Sequence, residues 1–174
     1  MTDTIASPIQ QTTRINHLDI LRGFALLGIL LMNIQGFSMP GAAYLNPTAW
    51  GDLQGINLFV WSFSHLFADQ KFMGLFSILF GAGICLFADR AEAKYGKSAA
   101  LHYKRNLWLL LFGLIHAHFI WYGDILYSYA LCSFWVYLLR NKSVRFLLIS
   151  ALLCLSIASL YSLFVHFALT QGYI

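Results

Sequence analysis

Apolar residues fall along this chain in long runs separated by short polar segments, and each run is close to the roughly 20 residues that a helix needs to cross a hydrocarbon core. The first run covers residues 18–39 and ends at the turn signals Pro40 and Gly41. Residues 41–56 follow, with Asn46, Pro47, Trp50, Gly51 and Asp52 but no Lys or Arg. The next region, residues 57–88, would form a helix of about 48 Å at the α-helical rise, too long for a single crossing. It therefore breaks, and Asp69, Gln70 and Lys71 supply the polar break. Residues 57–68 are expected as an interfacial or re-entrant helix and residues 72–88 as the second span; two full crossings are the alternative. Residues 106–121, 125–139 and 146–169 complete five expected spans. Residues 1–13 are polar and lack periodicity, which marks a disordered cytoplasmic tail ahead of a transmembrane domain over residues 14–174.

The basic residues give this pattern an orientation. Residues 89–105, expected as a loop, carry Arg90, Lys94, Lys97, Lys104 and Arg105, and Arg140, Lys142 and Arg145 follow the fourth span. With Arg14 and Arg22 these place ten of the eleven Lys and Arg residues on one side, leaving Lys71 as the exception. By the positive-inside rule that side is cytoplasmic, so the amino terminus is expected in the cytoplasm of a bacterial cell, beneath its inner membrane. Trp50, Trp61, Trp121 and Tyr122 fall near the expected outer boundary, where aromatic belts form. The first span is too long for a cleaved signal peptide and reads as a signal anchor.

Composition strengthens the expectation of an all-α, polytopic membrane helix bundle. Hydrophobic residues make up 59% of the 174 residues and charged residues only 10%, against about 25% charged in a soluble domain. The net charge of +4 does not suggest nucleic acid, because the basic residues sit between apolar runs rather than on one aromatic-lined face. The expected partner is the lipid bilayer, with a second copy of the chain also considered. Cys85, Cys132 and Cys154 all lie within apolar runs and read as packing residues, not as a disulfide framework.

A few polar residues inside the spans need a separate reason. Asp19 and Arg22 are three residues apart on one helix face; they form either a boundary salt bridge or an anchored charge at the mouth of an internal cavity. Asn33 lies three turns beyond Arg22 on nearly the same face, where an amide glues helices together or binds a ligand. Gly74, Ser77, Gly81 and Gly83 read as a close-packing face. His116 and His118 are two apart and point in nearly opposite directions, so they cannot share a metal ion, and no metal-site spacing is present. One of the two can face the interior and relay a proton, with Asp124 in the outer turn either orienting it or capping the fourth span. Walker, dinucleotide and serine-elbow motifs are missing from the sequence.

Four segments, in order, carry a resemblance. Leu18-Asp19-x-Leu21-Arg22-Gly23-x-Ala25 with Gly28 and Asn33, Phe76-Ser77-x-Leu79-Phe80-Gly81-x-Gly83, Gly113-x-x-His116, and Gly123-Asp124-Ile125-Leu126-x-x-Tyr129-Ala130 resemble the YeiB-like membrane proteins, labelled domain of unknown function 418. The resemblance covers about residues 14–140 and corresponds to the amino-terminal half of that family. More distantly the chain is similar to transmembrane acyltransferases, including the acyltransferase-3 group and the heparan glucosaminide acetyltransferase. In acyltransferase-3 proteins an Arg is followed after ten residues by His; here Arg22 is followed by Asn33, as in the glucosaminide enzyme. That enzyme's histidine before a Trp in the first outer loop is replaced by Pro47, three before Trp50.

The resemblance implies transfer of an acyl group across the membrane to an extracytoplasmic acceptor, with acyl-CoA as the donor and no bound cofactor. Arg22 with Asp19 would hold the donor's charge, Asn33 would bond the carbonyl, and His116 with Asp124 would act as base and orienter. A transporter or channel component, suggested by the broken helix, is the competing expectation. A truncated, non-catalytic fragment is a third, since the chain stops at Gln171-Gly172-Tyr173-Ile174 where further spans are expected.

Overall fold

The computed structural model describes residues 15–171. The expected tail over residues 1–13, Arg14 and the last three residues therefore lie outside the described part. Seven α-helices and one short 3-10 turn account for the described residues, with no strand among them: α1 (Asn16–Ser38), α2 (Ala42–Leu45), the 3-10 turn (Pro47–Ala49), α3 (Gly55–Phe67), α4 (Lys71–Tyr95), α5 (Ser98–Phe119), α6 (Leu126–Leu139) and α7 (Val144–Thr170). The chain is all-α, as its apolar runs predict.

Helix boundaries follow local chemistry. Met39 is extended (φ −130°, ψ 158°) because the ring of Pro40 disfavours helical geometry in the residue before it, and α1 stops there. The expected polar break separates α3 from α4, shifted by one residue: Ala68, Asp69 and Gln70 form the turn, and Lys71 already belongs to α4. Gln70 takes the left-handed conformation at φ 60°, which ends a helix as a glycine would. At the other end of α4, Gly96 does this at φ 62°, and its amide bonds the carbonyl of Glu92 at 2.9 Å. Ser143 caps α7, its hydroxyl accepting from the Phe146 amide.

The structure corrects one expectation. Residues 89–105 are helical except at Gly96 and Lys97, because α4 runs on to Tyr95 and α5 begins at Ser98. Basic residues mark where lipid would end, but Ala, Glu, Lys and Arg are good helix formers and carry the helices beyond that point. Among the described residues, three stretches are long and apolar enough to cross a membrane: Asn16–Ser38, Gly55–Tyr95 and Val144–Thr170. The middle one contains two helices, α3 and α4. With 14 residues, α6 is about 21 Å long, shorter than a hydrocarbon core, so five crossings stand as an expectation from sequence.

The chain forms two compact units, Met1–Gly83 and Ile84–Ile174, divided within α4. In the first unit, Ala25, Gly28, Ile29 and Met32 form the covered stripe of α1, with spacing that places them on one helical face. Phe72 of α4 fills the notch at Gly28, where a Cβ would overlap its ring, and packs edge-on against Phe24 at 5.3 Å. In the second unit, α5 and α6 form an antiparallel hairpin. At Gly113 the backbones meet so closely that an added Cβ would lie 2.8 Å from the Cα of Tyr127. Most side chains of α7 are exposed and apolar around its whole circumference, the signature of a helix whose solvent is lipid rather than water.

Candidate functional site

The α5–α6 hairpin builds a site at the turn between its helices. Asp124 lies at the end of that turn with its side chain only 2% exposed. One carboxylate oxygen, Oδ1, accepts from the amides of Leu126 at 2.8 Å and Tyr127 at 3.2 Å. Free amides at a helix start stabilise a carboxylate, so this oxygen both caps α6 and is held in place by it. The other oxygen, Oδ2, is thereby turned toward α5, where His116 Nδ1 lies 2.7 Å away. The Nδ1 is buried and makes no hydrogen bond, so the contact is a close approach of the two groups. His116 is 35% exposed, and its ring meets Trp121 edge-on at 6.5 Å.

Asp124 thus caps α6 through Oδ1, while Oδ2 lies beside His116. His118 is exposed and its Nδ1 bonds the Leu114 carbonyl at 2.9 Å, so only His116 of the two faces the turn. Such an arrangement can hold an imidazole in one orientation while its other nitrogen exchanges a proton.

Arg22, Asp19 and Asn33 belong to the first unit. Arg22 reaches Asp19 at 3.3 Å and donates to the carbonyl of Leu79 on α4 at 3.2 Å. Its guanidinium occupies the notch at Gly83, where a Cβ would overlap Nη2. Gly83 therefore seats a charge, which a reading of it as plain helix packing does not include. Asn33 is half-buried and lies beside Met32 of the covered stripe. The structure brings Asp19 to Arg22 and His116 to Asp124, one pair in each unit.

Two polar clusters escaped the reading of the sequence. In the second unit, Ser98, His102 and Asn106 are buried at four-residue intervals on one face of α5. Ser98 Oγ lies 2.9 Å from the Tyr137 hydroxyl, His102 Nε2 lies 3.3 Å from Ser133 Oγ, and Asn106 donates to the Ala130 carbonyl at 2.9 Å. Tyr137 also stacks on His102 at 4.4 Å and lies under the Arg140 guanidinium. Glu92 accepts from the Ser98 amide and hydroxyl. The ladder satisfies buried polar groups across the helix pair; the four-residue spacing of Ser98, His102 and Asn106 was its signal.

In the first unit, Tyr44 donates to Asp69 Oδ1 at 2.8 Å, joining α2 to the break between α3 and α4. Burial, followed by the bond to the Asp69 carboxylate and its charge, pushes the Tyr44 phenol up to about 12. No group of metal-ligating side chains gathers among the described residues, and the cysteines are free thiols.

No protein-family profile matches the chain, and no solved structure matches it. Curated proteins do. The chain is 41% identical to "Uncharacterized protein YeiB" of Escherichia coli (strain K12) over 114 residues, covering 66% of this chain and 28% of that protein. It is 39% identical over 172 residues to "Uncharacterized protein YxaH" of Bacillus subtilis (strain 168), covering 94% of this chain and 40% of YxaH. A 39.9 kDa protein encoded in the amylase 3' region of Bacillus acidopullulyticus is 39% identical over 126 residues, with 34% of its length covered. The chain thus spans less than half the length of each of these relatives. Identity near 40% over this much sequence, together with the apolar helices, supports kinship with YeiB-like proteins and a membrane protein as the coarse description.

Proposed function

We propose that this chain supplies part of a membrane acyltransferase, in which His116 is the general base and Asp124 its orienter. The single observation that carries the reading is the 2.7 Å approach of Asp124 Oδ2 to His116 Nδ1, with Oδ1 fixed by the start of α6. A carboxylate held on one imidazole nitrogen favours the tautomer that leaves the other nitrogen free to take a proton. In the proposed step that nitrogen removes the proton of an acceptor hydroxyl or amine as the acceptor attacks the thioester carbonyl of an acyl-CoA. The new C–O or C–N bond forms, the C–S bond breaks, and the leaving thiolate takes the proton from the imidazolium. Arg22 would pair with the donor's phosphates and Asn33 would bond its carbonyl. These two assignments come from the resemblance rather than from a contact.

The test is acyl transfer from radiolabelled acetyl-CoA in membranes containing the protein. His116→Ala is expected to abolish transfer while membrane abundance stays unchanged. Undiminished transfer in that variant would remove the mechanism. The broken helix between α3 and α4, with Gln70 at φ 60°, favours a second reading, a transporter, because interrupted helices frame solute sites. Uptake that survives His116→Ala but fails when residues 68–70 are made continuously helical would favour transport.

A further inference from the structure

We propose that Arg105 seats the phosphate of an anionic phospholipid headgroup at the level where the apolar part of α5 begins. The inference rests on the chain being a membrane protein and not on acyl transfer.

From Asn106 to the end of α5 no Lys, Arg, Asp or Glu occurs, whereas Lys104 and Arg105 stand immediately before that run. Residues 98–105 extend α5 by about 12 Å on the polar side of this boundary, beyond the reach of a headgroup layer roughly 5–7 Å thick. Arg105 is therefore at the hydrocarbon edge. Helical side chains lean toward the amino terminus of their helix, which here is the headgroup side.

The guanidinium lies over the Phe87 ring of α4, its Cζ 4.0 Å from the ring centroid. This contact steadies the cation, and Arg105 nevertheless stays exposed. The charge around it is positive. Residues 89–105 carry five basic residues against Asp89 and Glu92. Glu92 is taken by the amide and hydroxyl of Ser98, and Asp89, two residues beyond Phe87, points to another face of α4. The excess reaches the buried His102: burial first, then the charges of Arg105 and Arg140, hold its imidazole below the usual histidine range, with Ser133 acting the other way. A guanidinium that repels a proton on a neighbouring imidazole is not neutralised by the carboxylates nearby.

The chemistry selects the ligand. A phosphodiester presents two oxygens to the forked edge of a guanidinium. Its acyl chains would continue along Leu107 and Trp108, which are exposed just beyond Arg105; a soluble phosphate makes no such contact. A zwitterionic lipid brings the same phosphate but adds a cation to a surface that is already positive.

The test is native mass spectrometry of the protein released from nanodiscs holding phosphatidylglycerol and phosphatidylcholine in equal amounts. The wild-type chain is expected to retain phosphatidylglycerol in preference. Arg105→Gln should lower that preference about tenfold. Arg105→Lys, which keeps the charge but not the fork, should fall between the two. Lys142→Gln removes the same charge from the same end of the hairpin and should leave most of the preference. Four results would overturn the proposal: equal retention of both lipids by the wild-type chain, an undiminished preference in Arg105→Gln, the same loss in Lys142→Gln, which would assign the effect to general surface charge, or displacement of the lipid by inorganic phosphate, which would assign the seat to a soluble anion. If Arg105→Gln does not fold, Arg105→Lys decides, and a preference equal to wild type overturns the proposal.

Discussion

The helix contacts of the two units use glycine in opposite ways. In the first unit, Gly28 and Gly83 open notches that receive a side chain from another helix, the Phe72 ring and the Arg22 guanidinium. In the second, Gly113 lets the backbone of α5 meet that of α6 at Tyr127. A side chain in a notch can retreat; a backbone cannot. The α5–α6 hairpin is therefore a rigid frame whose register fixes His116 on Asp124, while the contacts of α1 with α4 tolerate adjustment.

The largest effect follows from testing the rigid contact. Gly113→Ala should force α5 and α6 apart at a cost of about 1–3 kcal/mol, seen as a lower thermal midpoint in detergent, and His116 should lose its carboxylate with it. Asp124→Asn comes next in the same frame. An amide still caps a helix start, so stability should hardly change, while acyl transfer should fall by about 10²-fold or more as the base loses its orienting charge. Equal loss of stability and activity would show that the carboxylate serves only the fold.

Gly83→Ala tests the adjustable contact. Arg22 should swing off the Leu79 carbonyl with a stability change of about 1 kcal/mol or less, and any activity that needs Arg22 should fall as far as in Arg22→Ala. The smallest effect belongs to Tyr44. Because its phenol is pushed up to about 12 from 10.0, the folded state holds that proton longer than the unfolded chain does. Its contribution to stability is complete below pH of about 10 and disappears as pH rises toward about 12. Tyr44→Phe should flatten that part of the pH–stability curve.

Hydropathy made the apolar helices legible, and the polar trio at residues 69–71 revealed the break, because both depend on composition over a window. The ends of α4 and α5 were not legible that way: Glu92, Lys94 and Lys104 end an apolar run without ending a helix. Asp124 was readable as either cap or orienter; its geometry shows the cap at Oδ1 and places Oδ2 at 2.7 Å from His116 Nδ1. The seat of Arg22 at Gly83 and the His102–Ser133 contact pair residues 61 and 31 positions apart, a separation that no local pattern encodes.

The central expectation is that lipid surrounds these helices, with Lys97 and Tyr122 at opposite faces of it. The direct measurement is labelling of single cysteines, Lys97→Cys and Tyr122→Cys, in a background lacking Cys85, Cys132 and Cys154, with a membrane-impermeant maleimide. Tyr122→Cys should react in intact cells, and Lys97→Cys only after the membrane is opened. Reaction of both from the same side would contradict the account.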